Sequence, residues 1–168
     1  MNYINHVASE EEKFIIAPHN IKQDSIIQLQ KALHNKAVLF SEKSNKNLKE
    51  YQVFIIDTIG VLTKIYSAAD TAYVGGGLKT GLHNILEPAT FGVPIVIGNN
   101  YGKFKEAVDL VTLKGVVSIE NQEEFTTILR SLKNDDLFRK STGEINKNYI
   151  QDNVGATQSI LKWMQQKI

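Results

Sequence analysis

The sequence predicts an α/β fold: a Rossmann-like, doubly wound parallel sheet of about six strands with a helical C-terminal tail. Short β-rich runs alternate with helix-periodic segments from Phe14 to Ile119. The runs are apolar throughout, with no polar residue at every second place, as expected for strands covered on both faces. Beyond Ile119 only helical periodicity remains. Strands alternating with helices imply right-handed crossovers between parallel neighbours.

Taken in order, residues 1–12 form an acidic, irregular start that leads into FIIA (Phe14–Ala17), a strand closed by Pro18. Asp24 or Ser25 can cap the next helix, which carries Ile26, Leu29 and Leu33 on one face. AVLF (Ala37–Phe40) is the second strand, and the Lys- and Asn-rich residues beyond it read as loop. VFIID (Val53–Asp57) is the third, followed by a short helix over Val61–Ala69 with Val61, Leu62, Ile65 and Tyr66 facing inward. TAYVG (Thr71–Gly75) is the fourth, and a helix opens over Asn84–Phe91. PIVIG (Pro94–Gly98) and GVVSI (Gly115–Ile119) complete the set, with a helix near Phe104–Leu113 between them. Phe125, Ile128, Leu129 and Leu132 mark a helix over Gln122–Leu132, and Leu137–Ile150 and Val154–Ile168 read as two more.

Composition narrows the function. A chain of 168 residues is expected to form a single domain with a sizeable core. Its net charge of +1 supplies no field to recruit nucleic acid or an anionic membrane. The absence of cysteine removes disulfides, thiolate metal ligands and cysteine nucleophiles together. The four scattered histidines speak against a metal site, and none is expected. No apolar run approaches the roughly 20 residues of a membrane span, and the start lacks the apolar core of a secretory signal. A soluble, cytoplasmic setting is expected.

Open α/β sheets bind ligands beyond the carboxyl ends of their strands. There the sequence places Pro18-His19-Asn20, Asp57-Thr58-Ile59-Gly60, Gly75-Gly76-Gly77 with His83-Asn84, and Gly98-Asn99-Asn100-Tyr101-Gly102. Bare backbone at Gly75–Gly77, followed by a helix start near His83-Asn84, suits a phosphate; the same glycines also serve a plain strand-to-helix turn. Asn84-x-x-Glu87 has the spacing of a capping box, while the Glu87 carboxylate can equally accept hydrogen bonds from a ribose diol. Asp57 can cap a helix or meet a ligand, and His19 can be solvated or touch phosphate. The glycines do not fit G-x-G-x-x-G, and Leu82-His83 stands where a P-loop has Lys-Ser/Thr. No G-x-S-x-G elbow and no paired carboxylates occur at the strand ends. What remains is a donor-binding lobe without a catalytic set.

The stretch IDTIGVLTKIYSAADTAYVGGGLKTGLHNILEPATFGVPIVIG (Ile56–Gly98) resembles the C-terminal, nucleotide-sugar-binding half of 3-deoxy-D-manno-octulosonic acid (Kdo) transferases, GT-B glycosyltransferases of lipopolysaccharide synthesis. The resemblance is most specific at D-T-x-G (Asp57–Gly60), Y-V-G-G-G and H-N-x-L-E-P (His83–Pro88), and extends from about Phe14 to the last helix. It implies CMP-Kdo as donor, a lipid A precursor as acceptor, and inverting transfer by direct displacement with CMP leaving. Asp57, Thr58 and Gly60 would border the cytidine. Gly75, Gly76 and Gly77 would form the donor turn, and His83, Asn84 and Glu87 would hold phosphate and ribose. His19 stands where the family has a Pro-Arg-His phosphate contact.

This chain departs from that pattern at several points. It reads A-P-H-N at the first strand end, so the arginine is missing; either His19 alone supplies the charge for the donor, or another residue does, with Lys79, in LKTGL, the candidate stand-in. Gly77 replaces a serine common in the family, and Val61 an acidic residue. The family's general base, a glutamate, belongs to an N-terminal domain that binds the acceptor and carries the membrane attachment. The resemblance therefore implies a domain excised from a longer enzyme of the cytoplasmic face of the bacterial inner membrane. Such a fragment holds no catalytic residue, has no cofactor other than its donor substrate, and is inactive alone. The helix over 154–168 would return toward the missing domain. The alternatives are half of a UDP-sugar GT-B transferase or epimerase, and a non-catalytic nucleotide-binding module.

Overall fold

Six short strands form in the computed structural model, which describes residues 1–78 and 81–166. They are β1 (Phe14–Ile16), β2 (Ala37–Leu39), β3 (Val53–Ile55), β4 (Ala72–Val74), β5 (Ile95–Gly98) and β6 (Val116–Ile119). All pairings are parallel, and the strands form two three-stranded sheets, ordered β1-β3-β2 and β4-β5-β6. The chain accordingly divides into two compact units, Met1–Ile65 and Tyr66–Ile168.

In the first unit β3 is the central strand, and its Val53 and Ile55 side chains are fully buried. They pack with Ile26 and Leu33 from α2 (Gln23–Lys31) and its exit, and with Ile4 from α1 (Asn2–His6). The start of the chain is therefore ordered, where the sequence suggested irregular backbone. Tyr3 is buried edge-on against Phe14, and its hydroxyl donates to Glu12 Oε1 at 2.8 Å. The other Glu12 oxygen accepts from the Ser9 N–H and hydroxyl, at 2.8 and 3.0 Å. Ser9-x-x-Glu12 thus closes a turn that the eye passes over in an acidic run. The Asn5 amide ties α1 to the end of α2, donating to Ala32 O and accepting from His34 N. Helix α2 starts at Gln23, so Asp24 and Ser25 lie inside its first turn and neither caps it. A 3-10 turn over Phe40–Glu42 follows β2. Helix α3 (Leu62–Tyr66) is half-buried and shorter than its apolar pattern suggests.

In the second unit β5 is the axis, with Ile95, Val96 and Ile97 removed from solvent, each contributing roughly 1.5–3 kcal/mol. One sheet face is covered by α4 (Leu86–Thr90) and α5 (Lys105–Thr112), through Ile85, Ala89, Ala107 and Leu110. The other is covered by α6 (Gln122–Asn134), whose Leu132, Phe125, Ile128 and Leu129 pack on Val96 and Ile119. Both faces covered is the condition that continuous apolar strands predict. Side-chain caps start α6 and α7 (Asp136–Asp152): Asn121 Oδ1 accepts from Glu124 N, and Asp135 Oδ1 from Phe138 N, each at 2.9 Å. Asn146 on α7 is fully buried and donates to Val93 O at 2.8 Å, fixing that helix to the entry of β5. Gly155, at φ +107°, breaks the chain into α8 (Ala156–Gln165), which buries no residue. No described helix is long and apolar enough to cross a membrane.

Candidate functional site

The turn after β4 is built from backbone. Gly76 has φ +90°, and a Cβ there would fall 1.9 Å from Gly81 O. A Cβ on Gly77 would fall 2.9 Å from Gly98 N at the end of β5. Bare backbone is thus required at Gly76 and Gly77 by the chain's own packing. The three glycine carbonyls are all taken internally. Gly75 O accepts from His83 N at 3.1 Å, Gly76 O from Gly81 N at 3.0 Å, and Gly77 O from Asn100 N at 2.7 Å. Among the described residues the N–H groups of Gly76 and Gly77 donate to nothing. A turn whose acceptors are consumed and whose donors are unspent is complementary to an anion.

The helix beyond this turn is shorter than expected. It begins at Leu86, so His83 and Asn84 precede it on the exposed approach. Asn84 Oδ1 accepts from Leu86 N at 2.9 Å, and its amide donates to Glu87 Oε1 at 3.1 Å. The Asn84–Glu87 pair therefore closes a turn just ahead of α4, whose N-cap is Ile85 without a side-chain cap bond. With Leu86 N engaged and Pro88 lacking an N–H, five-residue α4 has little left for an anion. Donor capacity in this unit therefore rests in the glycine turn more than in the helix start. Glu87 keeps carboxylate capacity to spare, since one oxygen has the single Asn84 bond. Burial raises the pKa of the neighbouring Tyr66 phenol, and the Glu87 charge adds to the rise.

In the first unit Asp57 follows β3 and turns toward the 3-10 turn after β2. Its Oδ1 accepts from Ser41 N at 3.0 Å and its Oδ2 from the Ser41 hydroxyl. Burial opposes ionisation of this carboxyl, but the Ser41 hydroxyl, the Ser41 and Asp57 N–H groups and the Lys43 charge outweigh it, and the pKa is lowered. Asp57 thus bridges β3 to β2 and caps no helix. Thr58 Oγ1 is buried with no partner among the described residues, and Gly60 takes φ +85° with open space around it. His19 lies in the exposed segment after β1. His19, Asp57, Thr58 and Gly60 therefore sit at the carboxyl end of the first sheet, and Gly75–Gly77, His83, Asn84 and Glu87 at that of the second. Lys79 lies outside the described residues. Sequence reasoning missed Ser41 as the partner of Asp57, and it passed over Gly98 and Asn100 as the supports of the glycine turn. The sequence puts the Gly98-Asn99-Asn100 string at the ligand side of the sheet, without a link to the glycine turn.

No family model matches the chain. A 3-deoxy-D-manno-octulosonic acid transferase of Haemophilus influenzae is 32% identical over 124 residues, covering 72% of this chain and 28% of that protein. The enzyme of the same name from Chlamydia trachomatis serovar D is 27% identical over an alignment of 169 residues, 98% of this chain and 38% of that protein. This chain is a relative of the Kdo transferases. Its fold matches the crystal structure of the C-terminal CMP-Kdo binding domain of WaaA from Acinetobacter baumannii, with a TM-score of 0.73 at 21% identity. That match covers 88% of this chain and 86% of the other, and it shows the GT-B C-terminal fold. The chain spans between about a quarter and two fifths of these Kdo transferases' length, at 28% and 38% of the two proteins.

Proposed function

We propose that this chain is the donor-binding domain of a Kdo transferase, holding CMP-Kdo while another domain presents the acceptor. The observation that carries this reading is the glycine turn, with the Gly75, Gly76 and Gly77 carbonyls engaged and the Gly76 and Gly77 amides unspent among the described residues. During transfer an acceptor hydroxyl attacks the anomeric carbon of Kdo and the bond to the CMP phosphate breaks. Negative charge grows on the departing phosphate, and preoriented N–H donors stabilise it without reorganising. His83 stands beside this turn, its ring 3.7 Å from where a Cβ on Gly75 would lie, and supplies a further donor. Glu87, held by Asn84, accepts from the ribose diol. Thr58, whose hydroxyl has no partner among the described residues, would border the cytidine by the family resemblance.

The relatives' greater length leaves room for a further domain, and the family resemblance supports the assignment of the remaining roles to it. The general base, the lipid A precursor site and attachment to the cytoplasmic face of the inner membrane belong to the other domain. The chain alone binds donor and does not turn over. The exposed apolar side of α8 is where that domain rests.

Isothermal calorimetry with CMP, UDP and GDP tests the reading. CMP is expected to bind most tightly, weakly in absolute terms because half of the cleft is lacking. A preference for UDP would replace the Kdo donor by a UDP-sugar, and equal or no binding of all three would remove the nucleotide-sugar reading.

A further inference from the structure

We propose that Gly98 and the backbone N–H of Asn100, neither assigned a role by sequence, are positioning residues that set the shape of the glycine turn and hence its grip on the donor. The inference rests on the donor reading, but its structural half can be tested apart from it. Gly98 ends the fully buried strand β5, and a Cβ there would lie 2.4 Å from Gly77 C, 2.5 Å from Leu78 N and 2.6 Å from Gly77 O. All three are main-chain atoms, so no flexible side chain can yield. The approach is reciprocal, since a Cβ on Gly77 would lie 2.9 Å from Gly98 N, 3.0 Å from Gly98 O and 3.1 Å from Gly98 Cα.

One hydrogen bond completes the contact: Asn100 N–H donates to Gly77 O at 2.7 Å, at the short end of the N–H···O range. Turning the Gly77 carbonyl toward β5 fixes the Gly77–Leu78 peptide plane, which adjoins the plane that carries the Gly77 N–H, and so restricts rotation at Gly77, on which the direction of the neighbouring amides depends. The turn after β4 is therefore shaped by the end of β5, whose position is set by the core through Ile95, Val96 and Ile97. Gly102, a few residues on, has open space where its Cβ would go and a negative or extended φ, so it serves as an internal control.

The test compares Gly98→Ala with Gly102→Ala by nuclear magnetic resonance and CMP titration. In Gly98→Ala the Gly76 and Gly77 amide resonances are expected to move and the Asn100 N–H to exchange faster. CMP affinity is expected to fall about tenfold or more, the effect of losing a hydrogen bond to a charged group. Gly102→Ala is expected to change none of these. If Gly98→Ala does not fold, Asn100→Pro removes the N–H, along with the side chain and the freedom of φ, and is expected to move the same resonances. Unchanged Gly76 and Gly77 resonances in a folded variant overturn the proposal. So do moved resonances with wild-type CMP affinity, or an equal loss in Gly102→Ala. Should the unaltered chain bind no CMP, the donor reading falls, and the resonances and exchange rates still decide whether Gly98 and Asn100 shape the turn.

Discussion

A methyl group added at Gly75 would meet only the edge of the His83 ring, 3.7 Å away, at a φ that any residue adopts. The same group at Gly76 would collide with Gly81 O at φ +90°. Gly75→Ala should therefore leave the thermal midpoint nearly unchanged, whereas Gly76→Ala should cost about 1–2 kcal/mol from the left-handed backbone alone. A loss of CMP affinity in Gly75→Ala without loss of stability identifies direct approach of the ligand to that backbone. Glu87→Ala should weaken nucleotide binding by roughly 1.5–3 kcal/mol if the ribose bond is made; unchanged affinity in calorimetry would leave Glu87 only as the partner of the Asn84 amide. The Asp57 carboxyl has a lowered pKa in the folded protein. Its stabilisation is thus complete above the unfolded value of about 4 and is lost as pH falls through the folded value. Asp57→Asn should therefore lie below the unaltered chain in denaturant midpoint at neutral pH, and the gap should close below about pH 4. A gap that widens on acidification would contradict the bond to Ser41. Positions such as Asp57 and the glycines were legible as strand-end polar groups. Their partners were not, because Ser41 and Gly98 are distant in sequence and become neighbours only when parallel strands align.

Helix α7 shows the same limit at the scale of elements. Its existence follows from periodicity, yet its role depends on Asn146 and Gly143, which interrupt the apolar pattern. A Cβ at Gly143 would fall 2.1 Å from Gly92 O, and the Asn146 amide donates to Val93 O at 2.8 Å. Helix, turn and strand entry are therefore held at one level by close backbone approach and one buried bond. Asn146→Ala should destabilise by about 2–3 kcal/mol, from the orphaned carbonyl and the void. Asn146→Asp should cost more at neutral pH, because a buried carboxylate can only accept and would face an acceptor. Chemical denaturation of both variants checks the order; equal costs would mean that the bond to Val93 contributes little. The strands were readable because continuous apolar runs have few alternative homes. Helix ends were less so. Asn84, Asp24 and Ser25 all suit caps by residue type, but local hydrogen bonds put α4 two residues later and start α2 ahead of both candidates. Helix α1 left no periodic trace, because five residues are too short to show one.

For the whole molecule, the parallel α/β class was written in the alternation of strands and helices, whereas the division into two units after Ile65 was not. Each unit has its own core, around Val53 and Ile55 in one and around Ile95 and Ile97 in the other, and a contiguous string of similar strands hides such a break. Helix α8 stands apart from both cores: none of its residues is buried, and Ile160, Leu161 and Trp163 are 59%, 53% and 61% exposed. A ten-residue helix that buries none of its residues adds little stability, and a cluster of exposed apolar side chains seeks a surface to cover it. In the absence of another domain that surface is a second copy of the chain, at sufficient concentration. Sedimentation velocity should therefore show weak, concentration-dependent association of the 168-residue chain. Truncation after Asn153 should abolish it while leaving the thermal midpoint within a few degrees, since none of the residues of α8 is buried. A large drop in midpoint on truncation would show instead that α8 supports the second unit.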